Sequence, residues 1–293
     1  MLSRSADVSV PAPALVLAGI VSVQVGGAFA SDLVREIGAG GAVFLRIAIS
    51  ALLLLALVRP SLRGHSRRAW TTVLLFGIAL GLMNWSFYGA IARLPLGVAV
   101  TVEFLGPLVL TTLLSRRTLD FVAVLAAAAG VVLISEAFTQ PLSDLSWSGL
   151  VLAATAGACW AAYILLSGRT GAEFAQLDGL ALALTVSLVV VVPAATFGHH
   201  VWTGPHLLAG LALAVLSSLL PYSFELLALR RLSASTFGIL LSLEPGVAAL
   251  AGLVVLGQRL HLVQVIGLVL VVLASAIVMG VRRPEEPGRI EST

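Results

Sequence analysis

Apolar runs of about 20 residues, repeated along the whole chain, constrain the fold more than any other feature, because about 20 residues of α-helix cross a bilayer core. Stretches such as 41–58, 147–167 and 261–281 carry almost no charge. Only 11% of the 293 residues are charged, 59% are hydrophobic and mean hydropathy is +1.07. A soluble domain carries roughly a quarter charged residues, so this chain lacks the polar surface to cover a ball in water. Strands of a membrane barrel would read as alternating segments of about ten residues, which is not the pattern here. The sequence predicts an all-α membrane protein with ten transmembrane helices, at about 13–30, 41–58, 70–91, 95–114, 120–136, 147–167, 179–197, 206–228, 234–256 and 261–281.

The connections are short and leave no room for a soluble catalytic domain. All 17 basic residues are arginine, giving a net charge of +3. No basic stripe interleaved with aromatics appears, so no nucleic-acid partner is expected; loop arginines suit lipid phosphates instead. With the N-terminus in the cytoplasm, 13 arginines face inward: Arg4, Arg59, Arg63, Arg67, Arg68, Arg116, Arg117, Arg169, Arg230, Arg231, Arg282, Arg283 and Arg289. Three face outward, Arg35, Arg93 and Arg259. The positive-inside rule then sets both termini in the cytoplasm. Arg4, the following apolar stretch and Ala28-Phe29-Ala30 imitate a cleavable leader, but the first span has an internal counterpart, which a discarded leader would lack. The one cysteine, Cys159, excludes an intramolecular disulfide.

That counterpart points to duplication. Leu15-Val16-Leu17-Ala18 recurs as Leu150-Val151-Leu152-Ala153, an offset of 135. Arg93-Leu94 with Pro107 recurs as Arg231-Leu232 with Pro245, an offset of 138. The expected organisation is a tail at 1–12, a five-helix repeat at 13–137, a second at 138–281 and a tail at 282–293. An odd number of spans turns the second copy upside down. Such inverted repeats are a transporter signature, with the substrate held near mid-membrane between the halves.

Ionisable groups inside spans are costly and therefore functional candidates. Four qualify: Arg46, Glu103, Glu225 and Glu244. Ionised together they sum to −2, a surplus that calls for protons or cationic guests. Glu103 lies four residues before Pro107, which removes the donor to the Glu103 carbonyl and loosens the helix. Glu244 adjoins Pro245. Glu225 shares a helix face with Pro221 and Tyr222, and a pairing with nearby Arg230 or Arg231 is an equal alternative. Arg46 can clamp a substrate carboxylate, or snorkel outward or pair with a glutamate of the bundle. Neutral polar and aromatic candidates are Asn84 with Tyr88, one turn apart beside Trp85, and the stripe Trp160, Tyr163, Ser167. Their aromatic faces suit an ammonium group, and packing alone is the plainer explanation of both stripes. Gln24 is a further polar residue inside a span. Gly77, Gly81 and Gly89 let the third span approach a neighbour closely.

Enzyme signatures are missing: there is no HExxH, P-loop or Gly-x-Ser-x-Gly. No catalytic residue, cofactor or metal is expected. His199, His200 and His206 cluster, yet no acidic or thiol partner lies close in sequence.

Five segments carry a family resemblance: Leu96–Pro107 (LGVAVTVEFLGP), Ser115-Arg116-Arg117 with Asp120-Phe121, Ala156–Leu165 (AGACWAAYIL), Leu220–Glu225 (LPYSFE), and Arg231-Leu232 through Thr236-Phe237-Gly238 to Ser242-Leu243-Glu244-Pro245. In order and spacing the chain resembles the threonine/homoserine exporters of the drug/metabolite transporter superfamily, of the type with two EamA domains, over about 13–282. The resemblance implies an inner-membrane exporter of small amino acids, proton-coupled, with a ten-helix fold, a central cavity and alternating access. Export of another metabolite or drug by the same fold is the alternative, and a membrane-embedded enzyme is disfavoured.

Overall fold

In the computed structural model the described residues are 10–114, 118–134, 145–196, 202–244, 246, 247, 250 and 261–281. Every regular element among them is helical. They are α1 (Ala12–Val58), α2 (Arg67–Ile91), α3 (Leu96–Leu114), α4 (Thr118–Ile134), α5 (Trp147–Glu173), α6 (Asp178–Thr196), α7 (Gly204–Ala214), α8 (Leu220–Leu229), α9 (Ala234–Leu241) and α10 (Leu262–Val281). Pro245, the 251–256 end of the expected ninth span, residues 257–260 after it, Arg116, Arg117, His199, His200 and both tails up to Ser9 and from Arg282 lie outside the described residues.

Local chemistry sets several boundaries. Ser66, Ser146 and Ser233 each accept a hydrogen bond from a first-turn amide of the helix they precede, relieving one of the orphan donors there. Inside α1, Gly38 (φ 74°, ψ 164°) breaks the helical path, in a region essentially reserved for glycine. The arms on either side run in opposite directions. On the first arm Val10 meets Arg231, Ser22 meets Leu216 and Gly26 meets Ser217. On the second, Phe44 meets Trp202, Gly210 abuts Leu45 and Ser50 meets Ala214. Against the single path of α7 and α8, one arm descends as the other climbs.

Four helical stretches, Leu33–Val58, Arg67–Ile91, Trp147–Glu173 and Gly204–Leu229, are long and apolar enough to cross a bilayer. Five shorter ones, Ala12–Gly26, Val98–Leu114, Thr118–Ile134, Asp178–Pro193 and Leu262–Ile277, are also apolar. The apolar surface faces outward: Leu113 is 77% exposed, Leu125 71% and Leu208 69%. Polar groups are inside, with Arg46 and Glu103 each 8% exposed and Asn84 5%. Lipid, not water, is the medium that suits such an exterior.

Helix α2 packs on α5 and α6, while α1 packs on α7, α8 and α6; α3 lies on α5 and α9, and α4 on α10. Close crossings rest on glycine, as expected for Gly77 and Gly81: a Cβ at either would come within 2.5 and 2.7 Å of α6 atoms. Gly89 faces Leu152. The turn after α2 and the turn after α8 share one hydrogen-bond pattern. Arg93 and Leu94 amides donate to the Ala90 carbonyl, both at 2.9 Å, and Arg231 and Leu232 amides donate to Ala228, both at 2.9 Å. Ala99 donates to Pro95 at 3.1 Å and Phe237 to Ser233 at 3.0 Å.

Candidate functional site

The candidate residues converge from five helices and the turn after α9. Arg46 stands on the returning arm of α1, Asn84 and Tyr88 on α2, Glu103 on α3, Trp160 and Tyr163 on α5, Tyr222 and Glu225 on α8, and Glu244 just beyond α9.

Arg46 donates through Nη2 to Oδ1 of Asn84, and its guanidinium carbon lies 5.4 Å over the Tyr88 ring, a cation–π arrangement. Arginine has no acceptor, so this contact fixes the amide orientation of Asn84. Its Nδ2 then donates to the Leu80 carbonyl at 2.8 Å and to the Tyr222 hydroxyl at 3.1 Å. The Tyr222 hydroxyl, which accepts from Asn84 Nδ2, also lies 3.4 Å from Asn84 Oδ1, to which it donates a long bond that a guest can compete for. Nε of Arg46 is buried without a hydrogen-bond partner among the described residues. The guanidinium thus has Nη2 committed to a neutral amide and Nε without a partner among the described residues.

Two of the sequence alternatives are corrected here. Arg46 does not snorkel; it is buried and hydrogen-bonded to Asn84, with Glu103 acting on it electrostatically rather than through a hydrogen bond. Glu225 does not reach Arg230 or Arg231. Its Oε2 accepts from the Tyr163 hydroxyl at 2.6 Å. Arg230 instead donates to the carbonyls of Phe174 and Gln176, and Arg231 to that of Val10. Tyr163 and Tyr222 rings sit 5.7 Å apart, so the two polar pairs lie side by side.

Glu103 is buried on α3, and its electrostatic neighbours are Glu244 and Arg46. Glu225 also faces Glu244 electrostatically. Three carboxyl groups and one guanidinium therefore share one neighbourhood. Trp160 packs edge-on against Phe104, centroids 4.7 Å apart, beside Glu103 in sequence. The carbonyl of Glu103 that Pro107 leaves without a donor abuts Gly157 of α5, where a Cβ would be 2.6 Å from it. Reciprocally, a Cβ at Gly106 would sit 1.9 Å from the Gly157 carbonyl. The proline-loosened segment of α3 is thus pressed, backbone on backbone, against α5. Pro221 lies at the start of α8, directly after a widened turn.

Sequence reasoning missed several partners: Phe76, whose ring is 5.4 Å from that of Tyr163, Phe104, the Gly106–Gly157 joint, and Ser22 and Ser50, which bond to α7–α8 carbonyls. It also missed an acidic partner for His206, whose Nε2 lies 2.8 Å from Oε2 of Glu36. That carboxylate is 170 residues away in sequence. Among the described residues no group of three metal-binding side chains occurs.

Comparison with known proteins points the same way. Residues 147–280 match the model of the EamA-like transporter family. The chain is 38% identical over 275 residues to threonine/homoserine exporter RhtA of Salmonella typhimurium strain LT2, covering 93% of this chain and 92% of that protein. It is 38% identical over 263 residues to the exporter of the same name from Escherichia coli K12, covering 89% and 88%. A solved crystal structure superposes with a TM-score of 0.74 at 20% identity, covering 92% of this chain and 96% of that one; it attests the fold.

Proposed function

The chain belongs to the threonine/homoserine exporters of the EamA-like transporter family, and from that membership we propose that it carries small amino acids out of the cytoplasm. It is a multi-pass protein of the inner membrane and a transporter, not an enzyme. The finer architecture is ten spans in two inverted five-helix halves, 13–137 and 138–281, with both termini cytoplasmic. Two observations support the halves: the matching turns around Arg93 and Arg231 at an offset of 138, and the reciprocal packing of α2 on α5 and α6 and of α7–α8 on the two arms of α1.

The observation that carries the substrate reading is Arg46. It is buried, stacked over Tyr88, bonded to a neutral amide and has an Nε without a partner among the described residues. A cation whose hydrogen-bond partner is a neutral amide, with Glu103 only an electrostatic neighbour, is suited to take a planar carboxylate from a guest. The Tyr222 hydroxyl can add a second donor. The guest's ammonium then belongs on the side of Glu103 and Glu244, with the aromatic faces of Trp160 and Tyr163 near. A zwitterion brings no net charge, so it balances the local signs and leaves the excess of carboxylates as it was. That excess is what protons would neutralise, and it is the physical ground for proton-coupled exchange with Glu103, Glu225 and Glu244 as carriers. Pro107 inside α3 and Pro221 at the start of α8 each remove a main-chain donor, points at which the helices can bend during alternating access, and the sequence candidate Pro245 would add a third.

The test is efflux of labelled threonine and homoserine from loaded proteoliposomes, with and without an imposed pH gradient. The expected result is saturable efflux, faster when protons can enter in exchange. Absence of flux for every small amino acid tried, with transport of a cationic dye, would move the reading to drug export by the same fold.

A further inference from the structure

Between α7 and α8 the helix opens into a single π turn, Val215–Leu219. The cause is the proline two residues on. In an unbroken α-helix the Pro221 ring would collide with the carbonyl four residues back, that of Ser217. Widening the turn relieves the collision, and the Leu220 amide reaches back five residues to the Val215 carbonyl. The cost is the Leu216 carbonyl. Leu220 has bonded elsewhere and Pro221 has no N–H, so neither main-chain donor is available to it. A buried carbonyl left so is unfavourable.

The first arm of α1 supplies the missing donor: the Ser22 hydroxyl donates to the Leu216 carbonyl at 2.7 Å. The returning arm supplies another. The Ser50 hydroxyl lies 3.1 Å from the Ala214 carbonyl and 2.7 Å from that of Arg46. Gly26 permits this approach, since a Cβ there would sit 2.1 Å from Ser217 Oγ and 3.0 Å from Leu216 Cβ. Ser22 bonds within the wide turn, and Ser50, whose one proton is shared with the nearer Arg46 carbonyl, reaches the residue just before it.

The consequence of the turn lies in α8. One extra residue in a turn rotates everything beyond it by about 100° and shifts it by about 1.5 Å. Tyr222 and Glu225 are the first site residues past it, the one bonded to Asn84 and the other to Tyr163. In the unwidened register neither side chain would meet its partner. We propose that Ser22 and Ser50 are positioning residues of the transport site: their hydroxyls hold the π turn that sets the register of α8, and with it the placement of Tyr222 and Glu225. Ser50 offers its single proton to the Ala214 carbonyl or to that of Arg46, and so stands between that turn and the backbone that bears Arg46. The inference rests on the reading of Tyr222 and Glu225 as transport residues.

The experiment uses the full chain in proteoliposomes with labelled threonine as probe. Ser22→Ala with Ser50→Ala should raise KM about tenfold or more, because the loosened turn samples the other register and a misplacement of about 1 Å is already expensive. Ser22→Thr with Ser50→Thr should keep KM within about twofold of wild type, since each retains a hydroxyl. In a Tyr222→Phe/Glu225→Gln background the alanine substitutions should add little, as groups acting through one another are non-additive. Wild-type KM in the double alanine variant, or full additivity in that background, overturns the proposal. If the double variant fails to insert, Ser22→Ala alone carries the test through the Leu216 carbonyl. Hydrogen exchange separates the two layers: protection of the amides at 216–220 should fall in the alanine variants, and unchanged protection overturns the claim that the serines hold the turn. A Tyr222→Phe/Glu225→Gln variant that transports as wild type overturns instead the reading of the site.

Discussion

Replacing Asn84 by Asp is the most informative single change, because it alters one charge and almost no volume. In the wild type, Asn84 Oδ1 accepts from Arg46 while Nδ2 donates to the Leu80 carbonyl and the Tyr222 hydroxyl. Aspartate keeps the acceptor and turns the contact into an ion pair. It also replaces the Nδ2 donor with an acceptor and charges the Oδ1 that the Tyr222 hydroxyl already faces at 3.4 Å, so Tyr222 is held by the new carboxylate rather than offered to a guest. Both changes act in one direction: Arg46 and Tyr222 become satisfied from within the protein. A hydrogen bond to a charged group contributes about 1.5–3 kcal/mol, and a guest carboxylate would have to compete with that. At about 1.4 kcal/mol per tenfold, Asn84→Asp should weaken amino-acid binding by roughly 10- to 100-fold. The fold should persist, with a thermal midpoint within a few degrees of wild type. Equilibrium binding of labelled threonine to purified protein, beside efflux from proteoliposomes, reads the effect directly. Binding of threonine amide, which lacks the carboxylate, should be weak in wild type and change little in the variant. Wild-type affinity for threonine in Asn84→Asp would refute the assignment of Arg46 as the carboxylate clamp.

Other substitutions probe the remaining parts. Tyr163→Phe removes the donor to Glu225, and the loss of a bond to a buried carboxylate, about 1.5–3 kcal/mol, should slow efflux at least about tenfold while the protein remains folded; an unchanged rate would detach that pair from transport. Glu103→Gln should abolish the dependence of efflux on an imposed pH gradient, measured across a pH series, and a wild-type profile would remove Glu103 from the proton path. Gly157→Ala places a methyl 2.6 Å from the Glu103 carbonyl oxygen, backbone that cannot rotate away; overpacking costs about 1–3 kcal/mol, so both thermal midpoint and efflux should fall, and normal values of both would show that α3 and α5 separate without consequence. Glu36→Gln breaks a contact whose carboxylate is 60% exposed, a class of pair contributing at most about 1 kcal/mol, and should leave threonine efflux unchanged within about twofold.

The sequence carries the apolar helices because a bilayer imposes a similar length on every helix that crosses it. The reading at 70–91 and 179–197 meets α2 at Arg67–Ile91 and α6 at Asp178–Thr196 almost end for end. The candidate residues were legible for the same reason: charge is so scarce inside the spans that Arg46, Glu103, Glu225 and Glu244 name themselves. Their partners were not. Glu225 lies five residues from Arg230, yet its bond is to Tyr163, 62 residues away. Nearness along a chain says little once a helix points two side chains in different directions. Gly77 and Gly81 were recognisable as a close-approach stripe, whereas Gly106 and Gly157 stand in different helices and reveal themselves only when their backbones cross.

The widened turn before Pro221 makes the limit concrete. Its proline is visible, and a proline inside a helix announces a missing hydrogen bond. What the chain does about the missing bond depends on whether a donor from elsewhere can reach the stranded carbonyl. That donor is Ser22, 194 residues earlier, and without Gly26 the arm that bears it could not come near enough. The same proline with an unhelpful neighbour would kink the helix instead, and Tyr222 and Glu225 would project elsewhere. Local sequence thus fixes that α8 must deviate, while the neighbouring helix decides how, and the direction in which two site residues point depends on the second of these.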